Sequence, residues 1–269
     1  MAKLYMGFDA GTQSVKVAVY DENFTPIASH SLPTTLHYPQ PGWVQMNIDE
    51  FLNITIECMK KTVEDIKGKG YSPSDIAGVM GDGIICGICG VDENGKAVTP
   101  YINYLDSRTQ ADVDAINAKN LDIWGRETGN PEANCMFPAM FARWFLANSE
   151  DFRQKGVKFV HNAPYILMNL AGLKGKDAFI DWGAMSGWGL GYKVEKKEWS
   201  DEQLDILGID KKYMPRILKP WDIVGGVSEE MAARTGLVAG TPVCAGAGDT
   251  MQSMLGSGVF EAGQGVDVA

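Results

Sequence analysis

Four carboxylates and one guanidinium stand in settings that could do chemistry. Asp9 ends the run Gly7-Phe8-Asp9 and is followed, after Ala10, by Gly11-Thr12-Gln13-Ser14. A tight turn of this kind offers backbone N–H groups and hydroxyls to an anion, and a carboxylate two residues earlier can hold the cation that travels with a nucleotide phosphate. The same residues also make an ordinary hairpin with a turn glycine. Asp249 closes Val243-Cys244-Ala245-Gly246-Ala247-Gly248 and opens a helical pattern carrying Met251, Met254 and Leu255. The small residues before it let a ligand approach the backbone, and the carboxyl end of a strand is where open α/β sheets bind substrates, so Asp249 is a candidate base. Capping the helix is its plainer role. Asp82, flanked by Gly81 and Gly83, and the segment Tyr104-Leu105-Asp106-Ser107-Arg108 offer carboxylates and a guanidinium suited to vicinal hydroxyls of a sugar or polyol. Turn chemistry and a surface ion pair would also account for them. Trp43, Trp182 and Trp188 are either core residues or faces on which the C–H groups of a sugar stack.

Several other chemistries lack their carrier residues. The sequence has no G-x-x-x-x-G-K-[ST], no G-x-G-x-x-G at a strand-to-helix junction and no H-E-x-x-H. Cys86 and Cys89 form a C-x-x-C, but Ile84-Ile85-Cys86-Gly87-Ile88-Cys89 looks like a buried strand, and five cysteines in apolar settings suit reduced thiols. The 269 residues carry 24 Lys plus Arg against 34 Asp plus Glu, a formal charge of −10, which argues against a nucleic-acid partner. No apolar run approaches the roughly 18 to 20 residues of a membrane span, and the first residues turn charged too soon for a signal peptide. A soluble, cytoplasmic protein with no membrane partner is expected.

The elements that must position these residues begin with three strands, Lys3 to Asp9, Ser14 to Asp21 and Pro26 to Leu32. Ile48 to Lys67 has helical spacing, with Asp49 as the expected N-cap and Gly68 at its end. Strands follow at Ile76 to Met80 and Ile84 to Val91, with Gly81-Asp82-Gly83 between them. Helices are expected around Arg108 to Ala118, Ala139 to Asn148 and Asn162 to Leu170. The low periodicity of Asp181 to Tyr192 suggests loops or short strands. A helix at Glu229 to Thr235 and a buried strand at Thr241 to Ala245 complete the pattern. Strands, a helix and more strands make a mixed sheet with at least one crossover.

Taken in order, these segments resemble the FGGY carbohydrate kinases, which have the actin-like (ribonuclease H-like) ATPase fold. Gly7 to Asp21 looks like the family's first phosphate motif, and Pro41-Gly42-Trp43-Val44-Gln45 is similar to its P-G-W-x-E/Q segment. Gly78 to Gly83 is similar to the family's sugar-loop region, and Tyr104 to Arg108 stands where the family has W-x-D-x-R. Thr235 to Asp249 is similar to T-G-L-x-x-G-T-P-V-x-x-G-x-x-D. The resemblance implies an α/β fold, an actin-like domain with a mixed β-sheet flanked by helices. Residues 1–260 would be its N-terminal sugar-binding domain and 261–269 the start of the interdomain connection.

The same resemblance implies ATP-dependent phosphorylation of a hydroxyl of a small sugar or polyol, a pentulose such as xylulose first among them, with Mg2+ as the metal. Asp249 would be the catalytic base and also touch substrate, Asp9 would serve the Mg-phosphate site, and Gly11, Thr12 and Gln13 would form the turn facing the γ-phosphate. Gly81, Asp82, Asp106 and Arg108 would lie in or beside the sugar pocket. Family members run to roughly twice this length, in line with ordinary domain sizes. The C-terminal ATP-binding domain is therefore expected as a partner missing from this chain, which alone would be inactive; the face it leaves exposed admits a homodimer. Two departures stand out: Phe141 replaces the usual Lys, and Gly81-Asp82-Gly83 replaces the Q-M-H-G typical of D-xylulokinases. A non-catalytic sugar-binding or regulatory module with the same fold is the rival reading. Such a module needs neither Asp9 nor Asp249.

Overall fold

A computed structural model describes residues 3–261 and 263–265. Of the expected interdomain start, residues 262 and 266–269 lie outside the described residues. The chain opens with β1 (Leu4–Ala10), β2 (Ser14–Asp21) and β3 (Pro26–Pro33), passes through β4 (Gln45–Met46) into α1 (Ile48–Gly68), and returns as β5 (Ile76–Gly83), β6 (Gly87–Val91) and β7 (Tyr101–Asn103). A mainly helical stretch follows, with α2 (Gln110–Asn117), α3 (Ile123–Thr128), α4 (Pro138–Asn148), α5 (Glu150–Lys155), β8 (Lys158–Val160) and α6 (Asn162–Leu170). Then come β9 (Phe179–Asp181), α7 (Trp182–Ser186), β10 (Tyr192–Lys193), β11 (Glu198–Trp199), α8 (Asp201–Leu207) and β12 (Arg216–Leu218). The last elements are β13 (Ile223–Gly226), α9 (Glu229–Thr235), β14 (Pro242–Cys244), β15 (Ala247–Gly248) and α10 (Asp249–Gly256).

The main sheet runs β13-β14-β5-β1-β2-β3, with β15 also paired to β5. It is mixed: β1, β14 and β15 are parallel to β5, whereas β1–β2, β2–β3 and β13–β14 are antiparallel. Period-two alternation decides its inner face. Leu4, Met6, Phe8 and Ala10 of β1 and Val15, Val17 and Val19 of β2 are buried, and α1 meets that side with Phe51, Ile56, Met59, Val63 and Ile66. A smaller sheet, β4-β7-β6-β8, backs a second core rich in aromatics. There Phe152 and Phe159 stack at 4.2 Å, and Phe141, which stands in place of the family's Lys, is wholly buried.

Three local expectations are corrected. The N-cap of α1 is Asn47, whose side chain accepts from the N–H groups of Asp49 and Glu50; the helix starts at Ile48, so Asp49 lies in its first turn and not at the cap. Gly81-Asp82-Gly83 is not a turn but the last part of β5, and the chain bends afterwards at Ile84 to Cys86. These glycines are required by close packing: a Cβ on Gly81 would lie 2.0 Å from the Phe8 ring, and one on Gly83 2.7 Å from Asn162 Oδ1. Within Asp181 to Tyr192 the chain forms α7, because the Asp181 carboxylate caps Gly183 and Ala184. Among the described residues no helix is long and apolar enough to cross a membrane.

Candidate functional site

Parallel pairing brings the candidate acids to one end of the sheet. In the β1–β5 register Asp9 lies opposite Asp82, and in the β5–β15 register Asp82 lies opposite Ala247 and Gly83 opposite Gly248. The strands point the same way, so their carboxyl ends coincide, and Asp249 follows β15 directly. Asp82 records this crowding. Burial, with the negative charges of Asp9 and Asp249 added to it, pushes its carboxyl from 3.8 to about 8, against a smaller opposing effect of Lys16. Asp82 Oδ1 is buried with no hydrogen-bond partner among the described residues. Asp9 is bound by the Lys16 ammonium at 2.9 Å.

The turn after β1 is held from two sides. Gly11 N–H donates to Ser14 O, while the Thr34 hydroxyl and N–H donate to the carbonyls of Thr12 and Gln13. The N–H groups of Thr12 and Gln13 have no hydrogen-bond partner among the described residues. The turn therefore offers two donors beside the Asp9 carboxylate, which lies 3.5 and 3.7 Å from where a Gly11 Cβ would be. Next to it a cavity of about 690 Å³ is lined by Asp9, Lys16, Met80, Gly81, Asp82 and Gln252, among others.

Asp249 is the first residue of α10, not its cap. The N-cap is Gly248, which makes no side-chain bond, and Asp249 Oδ1 accepts from the Thr250 N–H at 2.7 Å. The plain capping role does not describe it. Gly246, at φ +79°, and Gly248 make this approach feasible: a Cβ on Gly246 would sit 2.1 Å from the Gly81 carbonyl oxygen, and one on Gly248 2.2 Å from Ile85 Cγ2.

Asp106 and Arg108 are placed differently. Arg108 Nε and Nη2 grip both oxygens of Asp106 at 2.8 to 3.0 Å, Arg108 Nη2 also donates to Gln45, and Asp106 accepts from the Val44 N–H. The guanidinium lies 3.9 Å from the Trp43 ring centroid and 4.8 Å from that of Trp144. Both side chains are buried, at 1% and 0% exposure, with Arg108 Nε and Nη2 and both Asp106 oxygens engaged with protein groups. Trp43 is thus half of a guanidinium clamp, Trp188 is core, and Trp43 and Trp182 are both partly exposed.

Some supports carried no signal in the sequence. Asn162, the first residue of α6, is wholly buried and donates Nδ2 to the Ala10 carbonyl at the end of β1. His161 Nε2 lies 2.9 Å from the Ile85 carbonyl, and burial pushes this imidazole down to about 4, so it is neutral at pH 7 and donates that bond. Cys86 sits at the bend, where burial pushes its thiol up to about 11; Cys89 is buried in β6 and shifted the same way. Neither is a reactive thiolate.

The cation that the family resemblance implies is Mg2+. Among the described residues no three His, Cys, Asp or Glu side chains form a metal cage. Mg2+ does not need one, since it keeps waters and takes one or two carboxylates with phosphate oxygens. Asp9, beside the unpartnered Asp82 Oδ1, fits that donor set.

A turn with two open N–H donors, a carboxylate beside it and an acid at the start of a helix thus lie together at one end of a mixed sheet. The chain belongs to the FGGY family of carbohydrate kinases, matching its N-terminal domain over residues 4–256. It is 26% identical over 270 residues to a glycerol kinase of Thermococcus onnurineus, covering 98% of this chain and 51% of that one. It is 24% identical over 266 residues to a gluconokinase of Bacillus subtilis, covering 98% and 50%. The chain spans about half the length of the curated relatives it matches. Among solved structures, the xylulose kinase from Rhodospirillum rubrum superposes with a TM-score of 0.88 at 22% identity, over 97% of this chain and 52% of that one. The glycerol kinase of Plasmodium falciparum with ADP gives 0.86 at 20%, over 97% and 51%. These likenesses give the fold, the actin-like ATPase fold of the family.

Proposed function

We propose that this chain is the sugar-binding half of an ATP-dependent kinase that phosphorylates a hydroxyl of a small sugar or polyol, with a pentulose such as xylulose as the first candidate. The observation that carries this reading is the convergence of Asp9, Asp82 and Asp249 at the carboxyl ends of β1, β5 and β15. When bound, Mg-ATP supplies the phosphoryl group and much of the charge neutralisation of the transfer. Asp9 would hold the cation, and the N–H groups of Thr12 and Gln13, beside Gly11, would donate to phosphate oxygens. Asp249 would orient the acceptor hydroxyl and take its proton; a carboxylate at a helix start is a weak base, which suffices where the proton moves late. Asp82 holds its proton near neutral pH and would donate to a sugar or phosphate oxygen beside Gly81. Asp106 and Arg108 serve the pocket by fixing the chain after the half-exposed Tyr104 and Leu105.

A module that only binds sugar has no use for a cation-holding acid in register with a second acid and next to an anion-facing turn. The test is ADP release by the whole protein, both halves together, across ketopentoses, aldonates, tetritols, glycerol and deoxy-sugars. Turnover with one of them, absent without sugar, supports the reading. No sugar-dependent ADP with any of them overturns it.

A further inference from the structure

A second cluster on the rim of this site is not used by the proposed reaction. Trp182 and Trp221 meet edge to face, ring centroids 5.5 Å apart at 82°. Lys197 Nζ lies 4.9 Å and Lys219 Nζ 5.9 Å from the Trp182 ring centroid. Trp221 is 63% exposed, an unusual cost for so large an apolar ring unless something covers it.

The cluster is tied to the Asp249 segment by backbone. Ala245 N–H donates to Asp222 O and Gly246 N–H to Pro220 O, so Lys219 to Asp222 runs alongside the chain leading to Asp249. On the other side, a Cβ on Gly183, next to Trp182, would lie 3.5 Å from Gly248 N and 3.4 Å from Met251 Cγ. Trp182 therefore flanks the start of α10.

The charges select a ligand. The protein is acidic, with a formal charge of −10, yet among the described residues neither Lys197 nor Lys219 forms an ion pair. Of the nearby acids, Glu198 is bound to Lys193, and an oxygen of Asp222 accepts the Lys219 N–H. The indole of Trp182 orients both ammonium groups without neutralising them. Two cations without an ion pair among the described residues, on a partly exposed indole that adjoins the exposed Trp221, match a molecule with an anionic group and a C–H face.

We propose that Trp182, Trp221, Lys197 and Lys219 form a subsite for an anionic carbohydrate, its carboxylate or phosphate drawn to the ammonium groups and its ring or chain to Trp221. That the ligand is a carbohydrate rests on the kinase reading above; the anionic group rests on the lysines alone. Its source is either a sugar acid lying in the site or a sugar phosphate held at the rim.

The test uses this chain, with the indole N–H resonances of Trp182 and Trp221 assigned through Trp182→Phe and Trp221→Phe. D-Gluconate, D-glucitol and D-glucose 6-phosphate are titrated to ~50 mM, enough to see millimolar affinity. At least one of the anions is expected to shift both indoles saturably, with the neutral polyol at least about tenfold weaker. A Lys197→Gln, Lys219→Gln double variant should lose that preference while its far-ultraviolet spectrum and glucitol response stay unchanged. Gluconate that also shifts the backbone amide resonances of Asp249 and Thr250 identifies a substrate spanning both places; sugar-phosphate binding that leaves those resonances unmoved identifies a separate rim ligand. Equal response to glucitol, no saturable shift with either anion, or a lysine variant that binds as well as the parent would overturn the subsite. Failure of the kinase reading is seen separately, as absence of sugar-dependent ADP release by the whole protein.

Discussion

Asp9 and Asp82 are opposite one another on adjacent parallel strands, β1 and β5, each one residue before its strand ends. Two acids in one register, with a third just beyond β15, are costly to hold charged together, and the structure relieves this by keeping a proton on Asp82.

That proton has a measurable consequence for stability. The folded chain holds it up to about pH 8, whereas an unfolded Asp releases it near 3.8, so between these values the native state binds more protons. The contribution is full below roughly pH 4 and is lost as pH rises through roughly 8. Asp82→Asn should therefore gain on the parent steadily over that window, reaching on the order of a few kcal/mol at the alkaline end. Urea unfolding from pH 4 to 9 measures it, and a difference that does not change with pH would count against the crowded triad.

The Arg108 clamp gives a prediction of opposite character. Removing the guanidinium with Arg108→Leu leaves the Asp106 carboxylate buried and unpaired, and should cost about 3 kcal/mol or more. Arg108→Lys keeps the charge but loses the two-pronged grip and the stacking on Trp43 and Trp144, so it should rescue only part. Denaturant midpoints of both variants decide this; a loss below about 1 kcal/mol for Arg108→Leu would show that the pair is not holding the loop.

How much of this was legible in the sequence differs residue by residue. Alternation in Leu4 to Ala10 and helical spacing in Phe51 to Ile66 each encode one buried face, so β1 and α1 could be read directly. The family resemblance named Asp9 and Asp249. What no local pattern encodes is register between distant strands, and it is register that sets Asp82 beside Asp9. Gly81-Asp82-Gly83 looked like a turn because glycine signals turns; here its glycines make room for Phe8 and Asn162. Asp106 and Arg108 suit a sugar's hydroxyls as residue types, but nothing in the sequence shows Trp43 and Trp144 closing over the guanidinium. Asn162 and His161 left no trace, since their partners, Ala10 and Ile85, are 152 and 76 residues away.

Gly246 is where backbone geometry matters most. Its φ of +79° is unfavourable for any residue with a Cβ, and that atom would lie 2.1 Å from the Gly81 carbonyl oxygen, which is backbone in the central strand and cannot swing aside. Gly246→Ala should cost about 3 kcal/mol and displace Asp249 with it. Gly256→Ala, where a Cβ meets nothing within 4 Å, is the control and should be close to neutral. Thermal unfolding of the two separates a strained turn from a general intolerance of added methyl groups.

The last prediction concerns Asp249 and the division of labour between halves. In the proposed reaction its carboxylate takes the proton of the acceptor hydroxyl, and loss of a general base typically lowers turnover by about 10² to 10⁴. Asp249→Asn keeps the size of the side chain and an oxygen to accept the Thr250 N–H that now binds Oδ1, so the start of α10 should stand and sugar affinity should change little. The whole protein carrying this substitution is thus expected to lose kcat by about two to four orders of magnitude with KM altered far less. The present chain by itself should give no sugar-dependent ADP, because in the proposed reaction closure of a second domain over the site would exclude water and align the phosphate with the hydroxyl. Turnover that survives Asp249→Asn would assign the base elsewhere, with Asp82 the first alternative, and turnover by this chain unaided would show that these residues make the whole site.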